Sequence, residues 1–121
     1  HIEIVDSFTS TGWDSSIALD SSDRAHISYY DWTNDDLRYA HWNGSQWQFE
    51  TIDSAGDVGW QTSIALDKSG RPHISYYDAT NTNLKYAFWD GASWKVKTID
   101  SGEHVGKYSS IALDKSGRLH I

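Results

Sequence analysis

Residues 63–78 read SIALDKSGRPHISYYD, and this stretch determines the architecture because it recurs along the chain. SIALD begins at residues 16, 63 and 110, and HISYYD begins at residues 26 and 73, so both motifs recur at an offset of 47 residues. Comparing residues 16–62 with residues 63–109 gives 27 identities in 47 positions. A fixed period of this length indicates a repeat protein in which each repeat is one supersecondary unit.

Each repeat is predicted to contain four short β-strands and no helix. SIALD is an apolar run that ends in a turn, and HISYY is rich in β-branched and aromatic residues. A third strand at 84–89 ends at Asp90-Gly91, a pair that favours a tight hairpin, and a fourth runs over 94–99. Four antiparallel strands per 40–50 residues are typical of a β-propeller blade.

The short SIALD strand suits the narrow centre of a propeller, so we expect it to be the innermost strand of each blade. Its apolar side chains are then expected to be largely buried between neighbouring blades. These are Ile17, Leu19, Ile64, Leu66, Ile111 and Leu113.

The repeat frame predicts one partial β-propeller over residues 1–121. It contains an outer strand of an incomplete blade at 1–6, whole blades at 15–53 and 62–100, and the start of a further blade at 109–121. A propeller needs at least about four blades to close, and uncovered strand edges favour pairing. We therefore expect closure only through a head-to-tail ring of copies of this chain, or as part of a longer array.

Composition restricts the classes of partner. Ten Lys and Arg stand against 17 Asp and Glu, a formal net charge of −7, which disfavours nucleic acid and anionic membranes as partners. The absence of cysteine excludes a disulfide scaffold, a thiolate nucleophile and a Cys-ligated zinc site. An extracellular or cell-surface location is favoured.

Residues 74–94, ISYYDATNTNLKYAFWDGASW, resemble the blades of small fucose-binding propeller lectins. The shared pattern is an aromatic strand, a Thr/Asn turn, a strand that ends in Trp-Asp-Gly, and a second Trp five residues after the first. The resemblance implies a short chain of two blades that assembles into a six-bladed ring. The preceding half of the repeat, SIALDKSGRPHISYY, is similar to bacterial propeller repeats of the NHL or BNR type.

The same resemblance implies where a sugar would bind. In those lectins an Arg on the second strand, a Glu on the third strand and the Trp of Trp-Asp-Gly hold fucose. Here the Trp is retained, while serine stands at the Arg position and tyrosine at the Glu position. An aromatic platform with hydroxyl groups remains, which is general sugar-binding chemistry. The candidate ligand-binding residues are Trp42, Trp89, Trp47, Trp94, Ser28, Ser75, Tyr39 and Tyr86. The competing interpretation is that the tryptophans fill contacts between blades.

Two further patterns contain residue types that bind metals. His26, His73 and His120 share one repeat position, but the second strand lies away from the propeller axis, so a hydrogen-bonding role is favoured over a shared metal. The acidic segment 31–36 offers oxygen ligands, yet it lacks a calcium-loop pattern and is better explained as a turn. We therefore predict no metal site and no cofactor.

Catalysis is disfavoured because the candidate polar residues are repeated. Arg24, Arg71 and Arg118 occupy one turn position rather than a single cluster, and no unique pair of acids stands out. The sequence therefore predicts a non-catalytic binding module, with multivalent glycan binding as the leading function. The alternative is a structural or protein-interaction scaffold, and a fragment of a sialidase-like glycoside hydrolase is least favoured. The expected partners are copies of itself or the rest of a longer propeller, and glycans.

Overall fold

The computed structural model describes residues 2–7, 10–103 and 105–121. Two four-stranded antiparallel sheets follow one another, each with its strands in chain order. The first contains β1 (Thr11–Leu19), β2 (Ala25–Asp31), β3 (Asp36–Trp42) and β4 (Trp47–Asp53). The second contains β5 (Val58–Leu66), β6 (Pro72–Asp78), β7 (Asn83–Trp89) and β8 (Trp94–Asp100). A short pair, β9 (Ala112–Leu113) and β10 (Leu119–His120), begins a third unit.

This arrangement confirms the predicted fold class: the described residues form all-β, four-stranded antiparallel blades that do not close into a ring. Within the same residues, no helix has the length and apolarity needed to cross a membrane.

A turn follows each SIALD motif, as predicted, and the aspartate of the motif forms it. The Asp20 carboxylate accepts hydrogen bonds from the backbone N–H groups of Ser22 and Arg24, at 2.8 and 3.0 Å. Asp67 and Asp114 repeat this pattern one and two repeats later. In the acidic segment, Asp31 likewise accepts from the backbone of Thr33, which confirms that the segment is a turn.

The first strand of each blade is longer than predicted. β1 and β5 begin at residues 11 and 58, four residues before the predicted blade starts at 15 and 62. The added residues, 11–14 and 58–61, contain the register shifts, which lie on either side of Trp13 and Trp60. The next residues, Asp14 and Gln61, have positive φ angles of 47° and 51°. A bulge interrupts the two-residue periodicity on which the sequence prediction depended.

The second blade packs onto the first through β5. A core of buried side chains joins the blades and includes Leu37 and Tyr39 from the first and Val58, Ile64 and Tyr76 from the second. A Cβ atom added to Gly59, which has φ of +106°, would lie 2.8 Å from the Leu37 Cα, so this close approach requires glycine.

Polar contacts between the blades recur at the repeat offset. The Thr62 hydroxyl donates to the Ser28 hydroxyl at 2.9 Å, and Ser109 donates to Ser75 at 3.1 Å. Residues 105–121 therefore pack on the second blade as the second blade packs on the first.

Residues 2–7 lie in no strand, yet two of their acids stand at positions equivalent to acids of β4. Asp6 accepts a hydrogen bond from Tyr29 at 2.7 Å, as Asp53 does from Tyr76 at 2.7 Å. The assignment of this segment as the outer strand of an incomplete blade stays a prediction.

Burial of the SIALD strand depends on the blade in front of it. Ile64 is only 6% exposed and Ile111 is equally buried, whereas Leu66 and Leu113 are half-buried. The prediction was wrong for Ile17, which is 62% exposed, and for Leu19, which is also exposed. No blade precedes β1 in the described residues, so the face of β1 that corresponds to the covered face of β5 meets solvent.

Candidate functional site

A groove lies between the two blades at the end where β1, β3 and β5 finish. Its deeper part is a cavity of about 300 Å³ lined by His26, Tyr39, His41, Glu50, Gly70, Pro72, Trp89 and Trp94. An adjoining cavity of about 320 Å³ shares His26, His41 and Gly70 with it and extends toward Trp42, Arg24 and Lys68. We call these two cavities together the groove.

Contacts to both blades hold the Trp94 side chain at the groove. Its indole N–H donates to Glu50 Oε2 at 2.5 Å, across the boundary between the blades. The edge of its ring also meets Tyr39 at a centroid distance of 5.3 Å and Trp89 at 6.0 Å. Because three contacts fix this ring, Trp94 forms a preorganised aromatic wall.

A hairpin places Trp89 and Trp94 opposite each other at the groove. The two residues pair in register across β7 and β8. Asp90 accepts hydrogen bonds from the backbone of Ala92 and Ser93 in the turn, and these bonds hold the pKa of its carboxyl below the usual range. Gly91 supplies the positive φ that the turn requires.

The floor of the groove contains a chain of hydrogen bonds that joins Asp20, His26 and Tyr39. Asp20 Oδ2 lies 3.4 Å from His26 Nε2, and His26 Nδ1 lies 2.6 Å from the Tyr39 hydroxyl. Burial lowers the pKa of His26, against the opposing effect of Asp20, and burial also raises the pKa of Tyr39. The hydrogen-bonding role predicted for the repeated histidines is confirmed, because Asp67, His73 and Tyr86 form the same chain.

The structure brings together only some of the predicted site residues. Tyr39, Trp89 and Trp94 line the deeper cavity, and Trp42 borders the adjoining one. Trp47 lies elsewhere: its indole donates to Glu3 at 3.2 Å, which repeats the bond between Trp94 and Glu50 one blade earlier.

Three of the predicted residues are buried. Ser28 and Ser75 are fully buried and hydrogen bond to Thr62 and Ser109, and their assignment as ligand-binding residues stays a prediction. Tyr86 is also buried and stacks between His73 and Phe88.

Two groove residues escaped the sequence analysis. Glu50 stands where the next repeat has Lys97, and His41 stands where it has Phe88. His41 stacks on His26 and Tyr39 at centroid distances of 5.7 and 5.3 Å. Repetition could not identify these two residues, because each differs between the repeats. Their position could have, since they lie in strands whose tryptophans are the same in both repeats.

Comparison with known proteins shows a similarity among solved structures. No protein-family model and no curated protein matches the chain. Among solved structures, the chain is similar to a fucose lectin from Kordia zhangzhouensis in complex with methyl-fucoside, with a TM-score of 0.51 and 24% sequence identity. The similarity covers 87% of this chain and 78% of the lectin chain. At this identity the similarity shows a shared fold alone, and the NHL or BNR resemblance receives no support from a family model.

Proposed function

We propose that this chain is a non-catalytic carbohydrate-binding module whose groove between blades holds a sugar. The observation that carries the proposal is the preorganised wall of Trp94, beside Trp89 and Tyr39, in a cavity of about 300 Å³. Sugar rings present an apolar face of C–H groups to an aromatic ring, while their hydroxyls need hydrogen-bonding partners nearby.

Glu50 and the histidines supply polar groups beside the aromatic wall. A carboxylate has two oxygens and about four acceptor positions, so the bond from the Trp94 indole leaves Glu50 able to accept sugar hydroxyls. A hydrogen bond with one charged partner contributes about 1.5–3 kcal/mol, which makes Glu50 the principal polar contact that we expect for a sugar.

The similar lectin was solved with methyl-fucoside, which makes fucosides the first sugars to test. The lectin resemblance, however, implies an Arg and a Glu at positions where this chain has the buried Ser28 and Ser75 and the tyrosines Tyr39 and Tyr86. Because two charged hydrogen bonds are missing, we expect millimolar affinity for each groove, or about −4 kcal/mol.

Weak sites gain strength when several are presented together. Grooves repeated in a head-to-tail ring of copies, or in a longer array, would raise the effective concentration at a glycan-coated surface. The proposed module is therefore multivalent, and its binding depends on how densely the glycans are displayed.

A glycan array probed with the full chain tests this function. We expect Trp94→Ala and Trp89→Ala to lower retention by about tenfold, since each removes part of the aromatic wall. The matched control is Phe49→Val, which places in β4 the residue that the second repeat carries at Val96, and it should leave retention unchanged. If both tryptophan variants remain folded and retain glycans as well as the original protein does, the protein-interaction scaffold is the better account.

A further inference from the structure

A row of three tryptophans lies at the opposite end of the strands from the groove. Trp13 and Trp60 stand near the starts of β1 and β5, and Trp32 follows β2 directly. Ring centroids are 5.9 Å apart between Trp13 and Trp32 and 5.8 Å apart between Trp32 and Trp60. The rings are tilted by 42° and 50° rather than stacked, so each keeps part of its face uncovered. We call Trp13, Trp32 and Trp60 the tryptophan row.

The blade framework does not require Trp32. The second repeat carries Ala79 at the equivalent position, and the turn is unchanged there. Asn34 donates to Asp31 at 2.8 Å, and Asn81 donates to Asp78 at 2.9 Å. Because alanine supports the same turn, the turn itself does not require the Trp32 indole.

The row is exposed to an unusual degree for tryptophan. Trp32 is 52% exposed, and Trp13, in a strand that no described blade precedes, is 59% exposed, whereas its repeat counterpart Trp60 is half-buried. Contiguous exposed apolar surface of this kind marks interaction sites more often than isolated exposed residues do.

Two carboxylates, Asp35 and Asp57, lie beside the Trp60 end of the row. The Tyr30 hydroxyl lies 2.7 Å from Asp35 Oδ1 and 2.8 Å from Asp57 Oδ1, although it carries a single proton and can donate fully to only one of them. Asp57 also accepts the indole N–H of Trp60 at 2.5 Å. In the described residues, neither Asp35 nor Asp57 forms a salt bridge with a lysine, arginine or histidine. The negative charge beside the Trp60 indole N–H and the Tyr30 hydroxyl is therefore not neutralised by a nearby cationic side chain.

These features together specify the charge and the shape of a ligand. The faces of aromatic rings attract cations, tryptophan most strongly, and unpaired carboxylates attract them further. A metal ion fits poorly, because the described residues contain no group of three or more His, Cys, Asp or Glu side chains that could hold one. A cation with apolar methyl groups suits both the exposed indole faces and the carboxylates.

We propose that the tryptophan row binds a quaternary ammonium group of the choline type. The essential part is the boundary between the β2–β3 turn and the start of β5, where Trp32, Trp60 and Tyr30 meet Asp35 and Asp57. This part lies wholly between the two complete blades, and Trp13 extends it along the surface. The site is separate from the groove and does not depend on the proposed sugar binding.

Saturation-transfer NMR on the trimethylammonium protons of choline, with the full chain at constant ionic strength, tests the proposal. We expect choline to bind at least about tenfold more tightly than 3,3-dimethylbutan-1-ol, its neutral isostere, because the isostere forms no cation–π interaction. Phosphocholine should bind more weakly than choline, since its phosphate meets the carboxylates of Asp35 and Asp57.

The second repeat supplies conservative variants. Trp32→Ala introduces the residue found at Ala79 and should weaken choline binding about tenfold. Asp35→Thr introduces the residue found at Thr82, which has nearly the same positive φ angle, and should weaken binding several-fold. Phe49→Val in β4, which lies outside both the row and the groove lining, should leave choline binding unchanged. Equal binding of choline and its neutral isostere, or full binding by a folded Trp32→Ala variant, would overturn the proposal.

Discussion

Replacing Asp53 by alanine tests how the two blades are held together. Asp53, at the end of β4, accepts hydrogen bonds from the Lys85 ammonium and from the Tyr76 hydroxyl of the second blade, the latter at 2.7 Å. Both members of the ion pair are almost fully buried. Burial opposes ionisation of Asp53, but the bonds from Lys85, Tyr76 and the backbone of Ala55 outweigh it and hold its pKa below the usual range.

The expected loss follows from what remains after the substitution. Asp53→Ala leaves the Lys85 ammonium buried without a carboxylate, and breaking a buried pair in this way costs about 3–5 kcal/mol of unfolding free energy. For a chain of 121 residues the entropy of unfolding corresponds to about 0.25 kcal/mol per degree, so the melting temperature should fall by roughly 12–20 °C.

Asp100 is the matched control, because it occupies the same position in the second blade. It is exposed, and its carboxylate accepts a backbone hydrogen bond from Gly102 at 3.0 Å. Asp100→Ala should therefore cost only about 0.5–1.5 kcal/mol. The double variant Asp53→Leu with Lys85→Met should recover much of the loss, since no unpaired charge remains buried.

Urea unfolding followed by circular dichroism measures all of these variants. Should Asp53→Ala prove too unstable to fold, Asp53→Asn retains an acceptor and should give a smaller loss in the same direction. If Asp53→Ala and Asp100→Ala lose the same free energy, the ion pair does not join the blades and the reasoning is refuted.

Two further predictions concern packing and pH. Ile64→Ala should lower the free energy of unfolding by about 2–5 kcal/mol because it opens a cavity between the blades. Ile17→Ala, at the same repeat position on the exposed face of β1, should lower it far less. Thermal unfolding compares the two variants, and equal losses of stability would contradict the packing. Acid should destabilise the fold in two steps. Because the pKa of His26 is lowered in the folded protein, stability is lost as the pH falls below the usual histidine pKa of 6.5. Because the pKa of Asp53 is also lowered, more stability is lost as the pH falls below the usual aspartate pKa of 3.8. Urea unfolding between pH 2 and pH 8 shows this, and unchanged stability below pH 4 would contradict it.

Much of the fold was predictable because each strand and turn pattern occurs in both repeats, so one copy supports the assignment of the other. Strand positions, the turns at Asp20 and Asp67, and the hairpin at Asp90 all follow from local residue chemistry. The bulges near Trp13 and Trp60 were not predictable, since a left-handed residue inside a strand leaves no periodic pattern in the sequence.

Burial and site membership depend on neighbouring blades and so lay beyond sequence reasoning. Ile17 and Ile64 are the same residue in the same motif, yet only the second has a blade in front of it. The lectin resemblance places Ser28 in a sugar site, whereas in the structure its hydroxyl accepts a hydrogen bond from Thr62 of the second blade. Glu50 reaches the groove because it bonds to Trp94, 44 positions away in sequence, a contact that strand patterns do not reveal.

The indole N–H signals of the seven tryptophans, observed by ¹H–¹⁵N NMR during titration with methyl fucoside and a panel of other methyl glycosides, test the groove most directly. If the groove binds sugar, the signals of Trp89 and Trp94 shift together with a millimolar dissociation constant. Those of Trp13, Trp32 and Trp60, at the opposite end of the strands, remain in place. Two results would contradict carbohydrate binding in the groove. One is a shift confined to Trp13, Trp32 and Trp60, and the other is no shift with any sugar at concentrations well above the expected millimolar dissociation constant.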